Sequence, residues 1–238
     1  MLGACLSVKD SGGLGFGSIG EIAPFDGSVL SAEADHRIAN HLALLTGYVR
    51  LKTADLERQG GGPSRTEVHV LLDGVRAQIE AVARLHRTLC SNATGPADLG
   101  EHLREVCAPF ANGLAGRAHI VEDMAPGCTV RPEQLLPLSQ IAAEVITNAL
   151  KHAADRPEPT TVLVRCRKDW RSEVRLDILD SGGGFAVGFD PERDGGLGFG
   201  LVRALGKKLG ARITFETAGA GVRFGLTLPA PIGGGPWI

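Results

Sequence analysis

The sequence lacks the features that mark several protein classes. No uninterrupted apolar run approaches the roughly 20 residues that cross a bilayer, and the start lacks the basic end and apolar stretch of a secretion signal. We therefore expect a cytoplasmic protein without a membrane span. No basic run stands out, and a formal net charge of −2 with a pI near 6.4 gives no general attraction to nucleic acid.

The cysteine patterns of structural sites are also missing. The five cysteines include no C-x-x-C pair, which argues against a disulfide framework and against a thiolate zinc site. We expect reduced, mostly structural thiols. Hydrophobic residues make up 43% of the 238 residues, which is enough for a packed core in one large domain or two ordinary ones.

Stretches rich in glycine and proline divide the chain. Residues 1–30 show no sustained periodicity, so we interpret them as an irregular N-terminal tail, and residues 231–238 as a C-terminal tail. Between these tails, the break at 92–97 separates two regions. The sequence therefore predicts one domain over residues 31–92 and a second over residues 98–230.

The first domain has the periodicity of two helices. Its first apolar row recurs at steps of three and four residues, with Lys52 at the missing seam position. That row consists of Ile38, Leu42, Leu45, Val49 and Leu56. The spacing predicts a helix from Ser31 to about Arg58 and, after a GGGP break, a second helix over 64–91 in an antiparallel hairpin.

The second helix of this hairpin is too apolar to pack against one helix alone. It carries two apolar rows, and their combined face is wider than the first helix can cover. The rows contain Val68, Leu71, Leu72, Val75, Ile79, Val82, Leu85 and Leu89. Two hairpins packed as a four-helix bundle would cover this face, so we expect a homodimer.

His36 is distinguished from the other histidines by its neighbours. It precedes Ile38 by two positions, which turns it about 200° away from the apolar seam and towards solvent. Glu33 lies one turn earlier and Asp35 is adjacent. A carboxylate can hold one imidazole nitrogen as a donor and leave the other free as a nucleophile. The alternative is an ordinary surface histidine.

The second domain contains a helix with a polar face. Residues 144–152 read EVITNALKH, and their polar members are three and four positions apart, so they share one side of a predicted helix over 132–154. These members are Glu144, Asn148, Lys151 and His152. A carboxylate, an amide, an ammonium and an imidazole together suit a metal-bound triphosphate. An amphipathic surface helix without a ligand is the alternative.

Two glycine loops follow in the same domain. A predicted strand at 173–179 is followed by Asp180, the first residue of DSGGGF. Gly182 and Gly184 leave room for a flat base, whose amine could donate a hydrogen bond to the Asp180 carboxylate. The second loop, GGLGFG, opens a helix, so its backbone N–H groups would point at an anion. Its glycines include Gly196, Gly198 and Gly200.

The remaining predicted elements complete a mixed α/β sandwich. They are a helix at 98–114 and strands at 117–123, 160–168, 211–217 and 222–228. The fold class predicted for the whole chain is therefore α+β, with a helical hairpin followed by a sandwich.

These motifs resemble those of a known family. The ordered set ExxxNAxKH, DxGxG and GxGxG over residues 144–200 resembles the N, G1 and G2 boxes of the GHKL-type ATP-binding domain, which histidine kinases share with DNA gyrase. The string EADHRIANHL resembles the phosphoacceptor box of the HWE-like histidine kinases, whose acceptor is followed by arginine. The resemblance implies a dimerisation hairpin, a GHKL-type sandwich, and ATP and Mg²⁺ as cofactors.

The resemblance also implies a role for each motif. Asn148 would ligate Mg²⁺, Lys151 and His152 would contact phosphates, and Asp180 would read adenine, while the glycines shape the pocket and its lid. His36 would attack the γ-phosphate with Glu33 or Asp35 orienting its ring. The phosphoryl group would then pass to an aspartate of a response-regulator receiver domain. No sensor domain precedes the hairpin in this sequence, so we expect input through a partner protein, the bundle itself or a missing neighbour.

Two other classes of protein share part of the pattern. A phosphotransfer or scaffold protein would have the hairpin but would lack Asn148 and the glycine loops, which are intact here. A nucleotide-binding serine kinase of the anti-sigma type would have the ATP domain without a hairpin carrying His36. The acceptor box also departs from its pattern, since Ala39 replaces the usual lysine and His41 the second asparagine, which bears on regulation and partner choice.

Overall fold

The structure of the protein is a computed structural model that covers both predicted domains. The described residues are 27–58, 62–90, 95–111, 118–153 and 158–229. The predicted C-terminal tail lies outside them, as does the predicted N-terminal tail up to residue 26. The tail was predicted four residues too long, because residues 27–30 already belong to the first helix.

The described residues form five helices and seven strands. In chain order these are α1 (Gly27–Arg58), α2 (Arg65–Cys90), β1 (Ala97–Asp98), α3 (Leu99–Ala111), β2 (Ala118–Met124), β3 (Thr129–Val130), α4 (Pro132–Ala153), β4 (Thr160–Lys168), β5 (Val174–Asp180), α5 (Leu197–Leu209), β6 (Arg212–Ala218) and β7 (Gly221–Leu228). All helices and all longer strands were predicted to within a few residues. The two-residue strands β1 and β3 were missed, since so short a segment has no periodicity.

The hairpin helices have bounds that local chemistry explains. No proline lies between Pro24 and Pro63, so nothing prevents α1 from beginning before Ser31. At the start of α2, Ser64 N donates to Glu67 Oε2 at 2.8 Å and Glu67 N donates to Ser64 Oγ at 3.2 Å. This reciprocal pair is a capping box, and it fixes the first turn of α2.

The predicted α/β sandwich contains a five-stranded sheet with both parallel and antiparallel pairs. Its order is β2-β4-β5-β7-β6, in which β2 pairs with β4 in parallel and the other neighbours are antiparallel. Along β4, burial alternates, with Val162, Val164 and Cys166 fully buried on one side. This side packs beneath α3, α4 and α5, and the other carries ion pairs such as Arg165 with Asp123 at 2.8 Å.

The hairpin is docked onto the second domain, which the sequence did not predict. One side of α2 packs against α3 and α4 of the same chain through buried residues with mostly small side chains. These are Val70, Gly74, Ala77, Gln78 and Ala81. None of these residues belongs to the apolar rows that were expected to meet a second hairpin, so the docked side is an additional face of α2, and the expected homodimer stays a prediction.

Lys52 also differs from its predicted place in the apolar seam. Its side chain is buried and contacts α4 of the second domain rather than α2. Periodicity within one helix cannot identify a partner that lies 92 residues away in the chain.

Two expectations from composition can be compared with the fold. Cys107, Cys128 and Cys166 are buried free thiols, in agreement with the expected structural cysteines. Burial raises the pKa of the Cys107 thiol to about 12, so it stays protonated at neutral pH. In the described part of the chain, no helix combines the length and the apolar character needed to span a bilayer.

Candidate active site

A cavity of about 420 Å³ opens between α4, β5 and the start of α5. It lies within the size range of small-molecule sites. Four of the residues predicted to bind the nucleotide line it, namely Asn148, Asp180, Gly182 and Gly184. Asn148 of the polar motif and the DSGGGF loop thus meet at one place.

Asp180 is held in a fixed position at the edge of this cavity. Its Oδ1 accepts the N–H of Gly182 at 2.7 Å, and a Cβ at residue 182 would lie 2.6 Å from the same oxygen. A side chain at 182 would therefore displace the carboxylate. Gly184 has a φ of 73°, in the left-handed region that favours glycine.

Phenylalanines form one wall of the cavity. Their ring centroids lie 5.2 Å apart for Phe185 and Phe189, 6.0 Å for Phe189 and Phe199, 5.0 Å for Phe199 and Phe215, and 5.2 Å for Phe215 and Phe224. All five rings line the cavity, which we call the phenylalanine-lined cavity. Aromatic faces at these spacings pack well against a flat base.

Sequence reasoning missed this wall because its members come from separate elements. Phe185 ends the DSGGGF loop, Phe199 lies in GGLGFG, and Phe215 and Phe224 come from β6 and β7. The available signal was the aromatic residue within each glycine motif.

The GGLGFG loop forms the start of α5. Gly196 is the N-cap, and no side chain caps this helix end, so the first N–H groups are free of a side-chain acceptor. Such an end attracts anions. Of the three predicted glycines, only Gly198 is sterically required, since a Cβ there would overlap Glu144 Oε1, whereas residues 196 and 200 face open space.

The other polar residues of α4 lie outside the lining of the cavity. Glu144 is 1% exposed, and Lys52 Nζ lies 2.7 Å from both of its carboxylate oxygens. Lys151 Nζ lies 3.8 Å from Glu67 Oε1 on α2. The structure thus pairs both residues with the hairpin.

The predicted acceptor residues lie on α1. Glu33, Asp35 and His36 belong to the first turns of the helix, and the placement of their side chains is outside what the structure describes. The same holds for the side chain of His152 near the end of α4. Their roles stay predictions.

Two family models match the two regions of the chain. Residues 33–112 match a histidine kinase model, and residues 133–232 match the model described as histidine kinase-, DNA gyrase B-, and HSP90-like ATPase. The chain thus carries the two kinds of domain found in histidine kinases. The first match covers most of α1 together with α2 and α3, and the second covers α4 to β7.

Known histidine kinases resemble the chain over most of its length. It is 28% identical over 204 residues to blue-light-activated histidine kinase 2 of Erythrobacter litoralis, covering 83% of this chain and 56% of that protein. The chain thus spans about half the length of this relative. The solved histidine kinase domain of a blue-light-activated kinase of the same organism aligns with a TM-score of 0.59 at 25% identity, over 84% of this chain and 91% of that domain. The longer structure of that kinase aligns with a TM-score of 0.60 at 25% identity, over 85% of this chain and 59% of that one.

The site fits a magnesium-bound nucleotide. The phenylalanine-lined cavity accepts a flat base beside the Asp180 carboxylate, and the uncapped start of α5 suits phosphates. Among the described residues, no group of three or more His, Cys, Asp and Glu side chains could hold a metal alone. Mg²⁺ would accordingly be shared between Asn148 and phosphate oxygens, since this ion commonly takes only one or two protein ligands.

Proposed function

We propose that this chain is an ATP-dependent protein kinase that phosphorylates its own His36 and passes the phosphoryl group to an aspartate of a response-regulator receiver domain. The observation that carries the proposal is the phenylalanine-lined cavity, where Asn148 and Asp180 converge in a chain whose α1 carries a histidine acceptor motif. The relatives are histidine kinases, which supports the same chemistry.

The reaction needs little covalent chemistry from the protein. The free imidazole nitrogen of His36 forms a bond to the γ-phosphorus while the bond to the bridging oxygen breaks and ADP leaves. Attack leaves the ring positively charged, and the other imidazole nitrogen, held by Glu33 or Asp35, then gives its proton to that carboxylate, so that the phosphorylated ring becomes neutral. Lys151 contributes positive charge, and Mg²⁺, when bound, neutralises the triphosphate, so catalysis rests on positioning and charge.

We further propose that the kinase is a homodimer joined by the free side of its hairpin. Four large apolar side chains of α1 and α2 are exposed: Leu42 by 50%, Val49 by 40%, Leu72 by 56% and Ile79 by 51%. They lie on the hairpin side that the second domain leaves uncovered. A second hairpin placed there would bury them in a four-helix bundle.

The direct test of the function is the chemistry of the phosphorylated residue. Label from radioactive ATP should survive alkali and vanish in acid, because a phosphorylated imidazole is labile in acid. His36→Gln should abolish this label, while its affinity for ATP, measured by calorimetry, should stay close to that of the wild type. His41→Gln, on the same helix, is the matched control and should keep the label.

Two results would contradict the proposal. Label that persists in His36→Gln would make His36 an ordinary surface histidine. Label that resists acid would favour a serine kinase of the anti-sigma type.

A further inference from the structure

The ion pair between Lys52 and Glu144 joins the acceptor helix to the nucleotide site. Lys52 is 7% exposed and Glu144 1%, so both charges are removed from water. Removing two charges from water costs free energy that their mutual attraction only partly offsets. A buried ion pair is therefore weak evidence of a purely stabilising role. Glu144 also lies one helical turn before Asn148 and is overlain by Gly198 of the GGLGFG loop.

A second ion pair links the same two parts of the chain. Lys151, expected to contact phosphates, lies 3.8 Å from Glu67 of α2. Hydrogen bonds from the N–H and hydroxyl of Ser64 lower the pKa of Glu67, and the positive charge of Lys151 lowers it further. This carboxylate is therefore ionised at neutral pH. Both charged residues that α4 offers to a magnesium-bound triphosphate are thus paired with the hairpin.

The contacts between α2 and α4 show how the two helices run. Three pairs of residues meet across this interface, and residue numbers fall along α2 as they rise along α4. The pairs are Gln78 with Ser139, at 3.1 Å from Nε2 to O, Gly74 with Thr147, and Glu67 with Lys151. The helices are therefore antiparallel, and α4 runs in the same direction as α1.

This direction places the phosphate-binding end of α4 far from His36. The 16-residue separation of His36 and Lys52 on α1 spans about 24 Å at 1.5 Å per residue. Asn148 and Lys151 lie beyond Glu144, further from the N-terminal end of α1. Attack requires the reacting atoms to come within about 3.5 Å of each other. In a dimeric bundle whose two-fold axis runs along the helices, the partner's His36 lies at the same level along that axis. The same distance along the axis therefore separates it from the phosphate-binding end of α4.

We propose that Lys52 and Glu144 form a latch that holds this kinase in a resting arrangement, and that the magnesium-bound nucleotide opens it, its Mg²⁺ competing with Lys52 for Glu144 and its phosphates competing with Glu67 for Lys151. The inference rests on the proposed function and adds its regulation. Opening the latch frees the second domain to move along the hairpin towards His36. The Gln78 Oε1 atom, buried without a hydrogen-bond partner in the described part of the chain, is then returned to water, which favours separation.

The first test measures the latch without any phosphoryl transfer. Reaction of lysines with an amine reagent is followed by mass spectrometry on the full chain, with exposed Lys207 as the internal reference. Lys52 should react roughly tenfold more slowly than Lys207 in the free protein and should approach it when Mg²⁺ and a non-hydrolysable ATP analogue are added. Protection of Lys52 that persists at saturating analogue would overturn the latch, whether or not the protein is a kinase.

The second test fixes the latched arrangement covalently. A Cβ at Gly74 would lie 3.1 Å from Thr147 Oγ1 and 2.9 Å from the Tyr48 hydroxyl, so Gly74→Cys with Thr147→Cys in a Tyr48→Phe background allows a disulfide between α2 and α4. The oxidised protein should lose its acid-labile label, and reduction should restore it. Equal labelling in both forms would overturn the latch. Absence of label in the reduced form and in the wild type would instead contradict the proposed function.

Substitutions of Lys52 complete the comparison. Lys52→Met removes the latch charge and should raise the initial rate of labelling roughly tenfold, within the usual range of coupling between sites. Lys52→Arg keeps the charge and should label at the wild-type rate. A cooperative melting transition in Lys52→Met would show that the variant is folded, which separates an open latch from an unfolded chain. A folded Lys52→Met with an unchanged initial rate of labelling would count against the latch.

Discussion

Single residues of the nucleotide site are constrained by their neighbours before any ligand binds. Asp180 is held by the N–H of Gly182 and by the backbone of Gly221, where a Cβ would overlap the Asp180 carbonyl. Asn148 lines the phenylalanine-lined cavity from α4, a separate element. The two side chains therefore approach a ligand from two rigid elements, which favours precise recognition.

The separate roles of these two side chains can be measured. Asn148→Ala should weaken metal-dependent ATP binding, while Asp180→Ala should weaken adenine nucleotides with or without Mg²⁺. Loss of a metal ligand or a charged acceptor costs about 1.5 to 3 kcal/mol, or roughly ten- to a hundredfold in affinity. Calorimetry with ATP and ADP checks both, with Asp123→Ala on β2 as the control carboxylate. Equal losses in both variants under all conditions would refute the division of roles.

Helices and loops show which glycines the fold requires. Gly198→Ala should lower the free energy of unfolding by about 1 to 3 kcal/mol, because its Cβ meets Glu144 in a packed interface. Gly200→Ala, in the same helix but facing open space, should raise it by up to about 1 kcal/mol through the lower entropy of the unfolded chain. Urea unfolding of the two variants checks the contrast, and similar effects of both would show that α5 can shift away from α4.

Most elements were predictable because their signals are local. The apolar row of α1, the Ser64 and Glu67 capping box of α2, and the alternation along β4 and β5 are each contained in one short stretch. Within the site, Asp180, Gly182 and Gly184 of one short glycine motif line the cavity, and their binding roles stay predictions.

The features that escaped prediction are contacts between distant segments. The pairing of Lys52 with Glu144 joins residues 92 apart, and the phenylalanine-lined cavity collects rings from five places. The docked side of α2 was hidden for another reason: small residues such as Gly74 and Ala77 carry little hydrophobic signal in a sequence, although they are fully covered in the fold. Long-range pairing and close packing are properties of the assembled chain.

At the scale of the whole molecule, the two sides of the hairpin have different partners. One side packs on α3 and α4, and the other exposes Leu42, Val49, Leu72 and Ile79. This division reconciles a docked ATP-binding region with the proposed dimer, since the two contacts use separate surfaces.

The proposed dimer predicts a selective effect of charge. Ile79→Glu should shift the protein from dimer to monomer in sedimentation at tens of micromolar, because it places a carboxylate in the centre of the proposed bundle. Its fold should persist, since this side chain is 51% exposed within one chain. Ala43→Glu adds the same charge about 120° round α1 from Val49 and should leave the dimer intact. A wild-type protein that sediments as a monomer would overturn the bundle.

The small residues of α2 have a mechanical consequence. Helices whose side chains interlock as ridges and grooves resist translation, because each step must lift large groups past one another. The docked side of α2 presents Gly74, Ala77 and Ala81 beside the larger Val70 and Gln78, so few large groups interlock there, and sliding would meet lower steric barriers than between helices with large side chains. The position of the second domain along such a surface is then set by a few polar contacts. Exchanging those contacts changes the position at which the second domain is held. The hairpin would thus guide the second domain between a few fixed positions along α2.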